Sequence, residues 1–246
     1  EIYAIEDDML ISTKPEDGYY NNHLSLMKED GTQVHLEPVR LGPIDQVESF
    51  AGMLMLLRGS EIASFDGKKV DRDYVDWGHL PSTEAGEMLR LGSRVFITTD
   101  KGLGVLRGAA LTSLKGKDGL PYENTTCLAT GFDDDLWIGT TRGAIRMLDN
   151  EWQYFGAQNW IPGDHVNDIV VKDRQVVIAT DKGIGLITYE PFTLQKKSDY
   201  YEHYMDEWGM KRAGYISTLR WQDGEWIRLI SDNDGGHLAT YLAAMS

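Results

Sequence analysis

Apolar and polar residues alternate with a period of two through most of the first 190 positions, in short runs separated by turn-forming residues. The clearest stretch reads as four strands, Cys127 to Phe132, Leu136 to Thr141, Ala144 to Leu148 and Trp152 to Phe155. Asp133 to Asp135, Arg142-Gly143 and Asp149 to Glu151 have the composition of the intervening turns. Glycine at the second turn supplies the positive φ that a tight hairpin requires. Beyond Thr188 the period changes. Leu194, Ser198, Tyr201, Met205 and Trp208 recur at spacings of four and three, which predicts an amphipathic helix with Thr193 as N-cap and Gly209 as its stop. Two strand-like runs follow, Tyr215 to Trp221 and Trp226 to Ile230, joined by Gln222-Asp223-Gly224-Glu225. Ser231-Asp232-Asn233-Asp234-Gly235-Gly236 then leads into a last helix with Leu238, Tyr241, Leu242 and Met245 on one face.

The four-strand pattern recurs. Phe96-Ile-Thr-Thr-Asp-Lys-Gly102, Trp137-Ile-Gly-Thr-Thr-Arg-Gly143 and Val177-Ile-Ala-Thr-Asp-Lys-Gly183 end on glycines 41 and 40 residues apart. Pro43, Pro81, Pro121 and Pro162 keep the same step, at 38, 40 and 41 residues. A first repeat over Glu1 to Pro38 contains Met9-Leu-Ile-Ser-Thr13, and a degenerate second covers Val47 to Asp73. A four-stranded unit of about 40 residues is the length of one blade of a β-propeller, in which each small sheet buries both faces against its neighbours. The expected architecture is all-β, a propeller of about five blades over residues 1–192, with a helix, a hairpin and the start of a helical segment over 193–246. The strands after Tyr215 are candidates for the fourth strand that repeat five lacks, and residues 210–231 leave six blades as the alternative.

Composition narrows the partners. With 24 basic and 39 acidic side chains the formal charge is −15, and the first fifty residues carry eleven acids against three bases. That balance argues against nucleic acid and anionic membrane surfaces, whose recognition depends on clustered Lys and Arg. The longest apolar run, Phe50 to Leu57, stops at Arg58 and is too short to span a bilayer. The single Cys127 offers neither an internal disulfide nor a multi-cysteine metal site. Glu1 opens the chain without an initiator methionine, as in a mature protein whose leader has been removed, and Asn124-Thr125-Thr126 is an N-glycosylation triplet. Both features point to a secreted or periplasmic location.

Leu120-Pro121, the Asp-rich turn, Leu136-Trp137-Ile138-Gly139-Thr140 and Arg142-Gly143 resemble the two-component-regulator type of propeller repeat, known from ligand-binding sensor modules. The likeness covers repeats three to five well and the first two loosely. Further on, Lys211-Arg212-Ala213-Gly214-Tyr215-Ile216 and Ser231-Asp-Asn-Asp-Gly235 resemble proteins in which such a propeller precedes a helical (α/α) toroid, a domain common in glycan-processing enzymes.

In propeller geometry the loop leading into the inner strand and the turn between the second and third strands share one face. Lys101, Arg142 and Lys182 then repeat on that face together with His165 and Trp160, and Arg or Lys there suits a carboxylate or sulfate ligand. Solvation of hairpin turns accounts for the same cations. Asp232, Asn233 and Asp234 place two carboxylates and an amide at a strand-to-helix junction, where they could hold a divalent cation, act as general acid or base beside His237, or bind a sugar along with Arg212 and Tyr215. Capping of the last helix is the structural alternative. The triplet does not complete a calcium loop, and no His-x-x-x-His, Gly-x-Ser-x-Gly, P-loop or dinucleotide fingerprint is present.

These readings converge on a secreted carbohydrate-active or glycan-recognising propeller, whether part of a polysaccharide lyase or glycoside hydrolase, or a noncatalytic sensor or lectin-like module. A structural subunit is the third reading, because the short last helix needs a partner chain, a further domain or the propeller itself to cover its apolar face.

Overall fold

The computed structural model describes residues 2–5, 8–13, 21–36, 39–40, 44–66, 69–71, 78–149, 151–207, 210–212, 215–229 and 234–245. The chain divides into two compact units, Glu1–Tyr189 and Glu190–Ser246.

The first unit is a succession of antiparallel meanders. Sheet one contains β1 (Ile2–Ile5), β2 (Asp8–Thr13), β3 (Asn21–Met27) and β4 (Gln33–His35), with β5 (Val39–Arg40) added beside β3. Sheet two is β6 (Gln46–Phe50), β7 (Met53–Arg58), β8 (Glu61–Phe65) and β9 (Val70–Asp71), so the degenerate repeat forms a full sheet. Sheet three is β10 (Ala85–Leu91), β11 (Arg94–Thr99), β12 (Gly102–Arg107) and β13 (Ala110–Leu114). Sheet four is β14 (Thr125–Thr130), β15 (Leu136–Thr140), β16 (Gly143–Leu148) and β17 (Glu151–Phe155). Sheet five has three strands, β18 (Val166–Lys172), β19 (Gln175–Thr180) and β20 (Gly183–Thr188). The first strands of successive sheets lie side by side, the arrangement of propeller blades around an axis.

The two-residue period explains how one strand serves two interfaces. On β11, Val95 and Ile97 pack back onto Phe50, Met55, Leu57 and Ile62 of sheet two, while Phe96 between them packs forward onto Leu128 and Ile138 of sheet four. On β15, Leu136 and Ile138 join sheet three, and Trp137 packs forward with Val176 and Ile178 of sheet five. A strand buried on both faces must be apolar throughout, and this accounts for the continuous hydrophobic run in the second strand of each repeat. Sheets one and two close in the same way around Leu10, Leu24, Leu56 and Phe65.

Close approach sets the small residues. A Cβ on Gly139 would stand 2.3 Å from Cys127 Sγ and 2.9 Å from Val166 Cγ1, so any side chain there pushes sheets four and five apart. Cys127 itself is buried, and burial, reinforced by the Glu87 carboxylate, pushes its thiol up to about 12.

In the second unit, α1 (Leu194–Glu207) starts where expected, with the Thr193 hydroxyl accepting the Lys196 N–H at 3.1 Å. Short ladders follow, β21 (Lys211–Arg212) with β22 (Tyr215–Ile216) and β23 (Thr218–Gln222) with β24 (Glu225–Leu229), before α2 (Asp234–Met245). Among the described residues β20 pairs only with β19, and β23 and β24 pair with each other. The tight Asp223-Gly224 turn, with both residues at positive φ, closes a local hairpin whose strands satisfy one another. Residues 211–229 make two separate two-stranded ladders. Lys211 pairs with Glu202 of α1 and lies 5.3 Å from the ring of Tyr241 of α2, whose hydroxyl hydrogen-bonds Glu202. No helix among the described residues is long and apolar enough to cross a membrane.

Candidate functional site

One hydrogen-bond motif builds the hairpin between the second and third strands in sheets three, four and five. Thr99 Oγ1 donates to the Gly102 carbonyl at 2.7 Å and accepts the Lys101 N–H at 3.1 Å. Thr140 does the same for Gly143 and Arg142 at 2.6 and 3.0 Å, and Thr180 for Gly183 and Lys182 at 2.8 and 3.2 Å. The closing glycines have φ of +117°, +112° and +141°, where an L side chain is strained. Threonine, cation and glycine thus recur together because the turn needs the first and last, and the middle residue is left pointing into solvent.

The lead-in loops are tied to these same turns. Gly102 N–H donates to the Glu123 carbonyl at 2.7 Å, and Thr141 N–H to that of Asn124 at 3.1 Å. Gly143 N–H donates to Asp164 at 2.6 Å, and Asp181 N–H to His165 at 3.0 Å. Lys101, Arg142, Lys182, Asn124 and His165 therefore line one edge of the sheet array, all exposed.

Their surroundings differ. Lys101 borders a cavity of about 490 Å³ between sheets two and three, whose polar lining includes Ser60, Glu61, His79, Ser82 and Thr83. Arg142 lies 5.9 Å from the ring of Tyr122, which meets Tyr154 at 5.2 Å, and the Tyr154 hydroxyl donates to the Arg142 carbonyl. Trp160 is exposed but rests edge-on against Phe155 at 5.6 Å, so it serves packing with one face. In the second unit Tyr215 is exposed, and His237 lines a mostly apolar groove of about 380 Å³ with Met210, Ile216, Leu219 and Trp226. Asp234 begins α2 and Arg212 lies in β21, while Asp232 and Asn233 fall outside the described residues. Among the described residues no group of three or more His, Cys, Asp or Glu is arranged to hold a metal.

Two arrangements escaped the sequence reading. The first is a carboxylate buried in the Asp-rich turn of repeat four. Arg146, on an otherwise apolar strand, pairs with Asp135 through Nε and with Asp133 through Nη2 at 3.0 Å, and stands 4.7 Å from the Tyr189 ring and 5.3 Å from that of Phe132. A lone cation in an apolar run was the available signal. The second lies on the inner strands. Gln46 Oε1 accepts the Met88 N–H of the next sheet at 2.7 Å, and Glu87 Oε2 accepts the Leu128 N–H at 2.7 Å. Cys127 occupies the corresponding place in sheet four, and Ile169 N–H instead turns to the Asp168 carboxylate at 2.8 Å.

Burial raises the Glu87 carboxyl above its ordinary 4.5, with Asp168 adding to the rise and the Leu128 N–H opposing it. A raised folded pKa contributes stability that is present below 4.5 and lost as pH climbs through the folded value. Glu87→Gln keeps the acceptor, as Gln46 demonstrates, and removes the charge. The variant should show a higher urea midpoint than the parent at pH 7 and a gap that closes on acidification below 4.5. A gap independent of pH would refute the assignment.

No protein-family model matches this sequence, and no curated protein matches it. Solved structures do. The extracellular domain of the hybrid two-component system BT4673 from B. thetaiotaomicron aligns with a TM-score of 0.55 and 13% identity over 78% of this chain and 27% of that one. The corresponding domain of BT3049 from the same organism aligns at 0.52 and 17% identity over 80% of this chain and 27% of that one. The chain thus spans about a quarter of the length of these domains. The fold is that of a β-propeller, and its neighbours include extracellular domains of bacterial two-component systems.

Proposed function

We propose that this chain is a ligand-recognising propeller of an extracellular sensor or surface protein, acting outside the cytoplasm, and that it binds an acidic sugar beside Lys101. The observation that carries the reading is the polar cavity between sheets two and three. Lys101 supplies the charge for a carboxylate or sulfate, and Glu61, His79, Ser82 and Thr83 supply the mixed donors and acceptors that sugar hydroxyls need. The cation is held on a turn fixed by three hydrogen bonds, Thr99 to Gly102, Lys101 to Thr99 and Gly102 to Glu123, so its backbone position is set before any ligand arrives. An overall charge of −15 fits this arrangement, since a local cation is then a selective feature against an acidic background.

Thermal unfolding with uronic-acid, sulfated and neutral oligosaccharides tests the proposal. A ligand at a hundredfold excess over its Kd stabilises by about 2.7 kcal/mol, which for a unit of this size is a rise of roughly 5 °C or more. The shift should appear with an acidic sugar, disappear in Lys101→Ala and persist in Lys182→Ala. Absence of any shift, or one retained by Lys101→Ala, would remove the cavity from consideration.

A further inference from the structure

Equivalent positions in successive repeats have very different surroundings at the end of the array. The forward-facing residue of the second strand is Met55 in sheet two, Phe96 in sheet three and Trp137 in sheet four, all buried, whereas its counterpart Val177 in sheet five is 37% exposed. On the third strand Ile62, Leu103 and Ala144 are buried, and their counterpart Ile184 is 73% exposed. Two residues on, Ser64 and Arg146 are buried, and Leu186 is 58% exposed. Val170, on the first strand, is also exposed. The backward face of the same sheet, with Val176, Ile178 and Ile187, is fully packed against sheet four.

Sheet one stands at the other end of the array. Leu10 packs forward onto sheet two, and the flanking Met9, which faces backward as Val95, Leu136 and Val176 do in later sheets, is 42% exposed. The forward face of sheet five is therefore the counterpart of surfaces that carry the next sheet in sheets one to four. Such an interface occurs between each successive pair of sheets within the unit.

We infer that the forward face of sheet five is an intersheet contact surface, and that its occupant is a further blade of the same repeat supplied by the same polypeptide. The face matches in position and chemistry three surfaces that already carry such a blade. It also lies beside β20, whose outer edge has no partner strand among the described residues. An apolar face of this kind, left in water, is a liability for association. A blade in the same polypeptide fits a chain that spans about a quarter of the propeller-containing domains it resembles.

The test compares residues 1–246 with the polypeptide as its gene encodes it. The reading frame is expected to carry further repeats of about 40 residues. Amides of residues 183–188 should exchange at least roughly 100-fold more slowly in the full chain than in residues 1–246. Ile184→Lys with Leu186→Lys should leave the melting temperature of residues 1–246 within about 1 °C, since surface changes are close to neutral, and should lower that of the full chain by roughly 5 °C or more. A dimer of residues 1–246 in which 183–188 are already protected would assign the face to a second copy and overturn the proposal. A reading frame without further repeats would overturn it too, as would equal exchange in both proteins.

Discussion

Trp137→Ala is expected to destabilise the first unit by about 3–5 kcal/mol, the range for removing a large buried aromatic side chain. Trp137 is fully buried at the junction of sheets four and five, stacked on Phe155 at 5.1 Å and meeting Tyr189 edge-on at 6.4 Å. Alanine leaves a cavity that β15 and β18 cannot close, because Leu136 and Ile138 on either side anchor β15 to sheet three. The same residue makes a second comparison informative. Trp137 Nε1 is buried with no hydrogen-bond partner, and an unsatisfied donor of that kind costs about 1–3 kcal/mol. Trp137→Phe keeps most of the stacked area and removes the orphan donor, so its stability should lie within about 1 kcal/mol of the parent. Urea unfolding followed by Trp fluorescence and far-UV circular dichroism measures both. A Phe variant as unstable as the Ala variant would show that the indole N–H has a partner that the geometry does not reveal.

Arg146→Met should cost a similar amount, about 3–5 kcal/mol, for a different reason. The Asp135 side chain is fully buried and Arg146 is its charge partner. Burial by itself pushes the Asp135 carboxyl up, but the Arg146 hydrogen bond, the Asp133 N–H at 3.0 Å and the Arg146 charge reverse this and hold it below the ordinary 3.8. A depressed folded pKa contributes stability that is present above 3.8 and lost as pH falls through the folded value. Methionine keeps the stem that packs on Phe132 and Tyr189 yet leaves a buried carboxylate unpaired. Acid unfolding should then begin at higher pH than in the parent. Arg146→Leu combined with Asp135→Ala should recover most of the loss, because no buried charge remains and Asp133 is half exposed to water. Additive losses in the double variant would mean that the packing of the arginine stem, and not the ion pair, holds the turn.

The difference between these two sites explains what could be read in advance. Trp137 sits in a repeated strand whose continuous apolar run and step of about 40 residues are local properties of the chain, the pattern expected of a strand buried on both faces. Arg146 stands in an equally periodic strand, and nothing local says that Asp135, eleven positions earlier, folds back under it. Residues 133–135 read as an ordinary solvated turn because a triplet of aspartates is usually exposed. Tyr189, just past β20, and Phe132 stand over Arg146, and with the Asp135 side chain they make the turn a buried pair.

The site residues divide in the same way. Placing Lys101, Arg142 and Lys182 on one edge required only the repeat and the hairpin. Deciding that Lys101, among these three, borders the cavity between sheets two and three required Glu61 of β8 and His79 of the loop before β10, which come together through tertiary packing. The tail shows the limit of pattern without partners. The runs after Tyr215 have strand character, but strand character does not name the neighbour, and it is the local Asp223-Gly224 turn that pairs β23 with β24.

By itself the sequence determined the repeat, the propeller-type sheets, the Thr-x-x-Gly hairpins and the start of α1, because each depends on contacts within a few residues or on strict periodicity. Tertiary structure alone decided which cation borders a cavity, which carboxylate is buried, and which face of sheet five is exposed. Those features depend on desolvation by residues distant in sequence, and desolvation has no period along the chain.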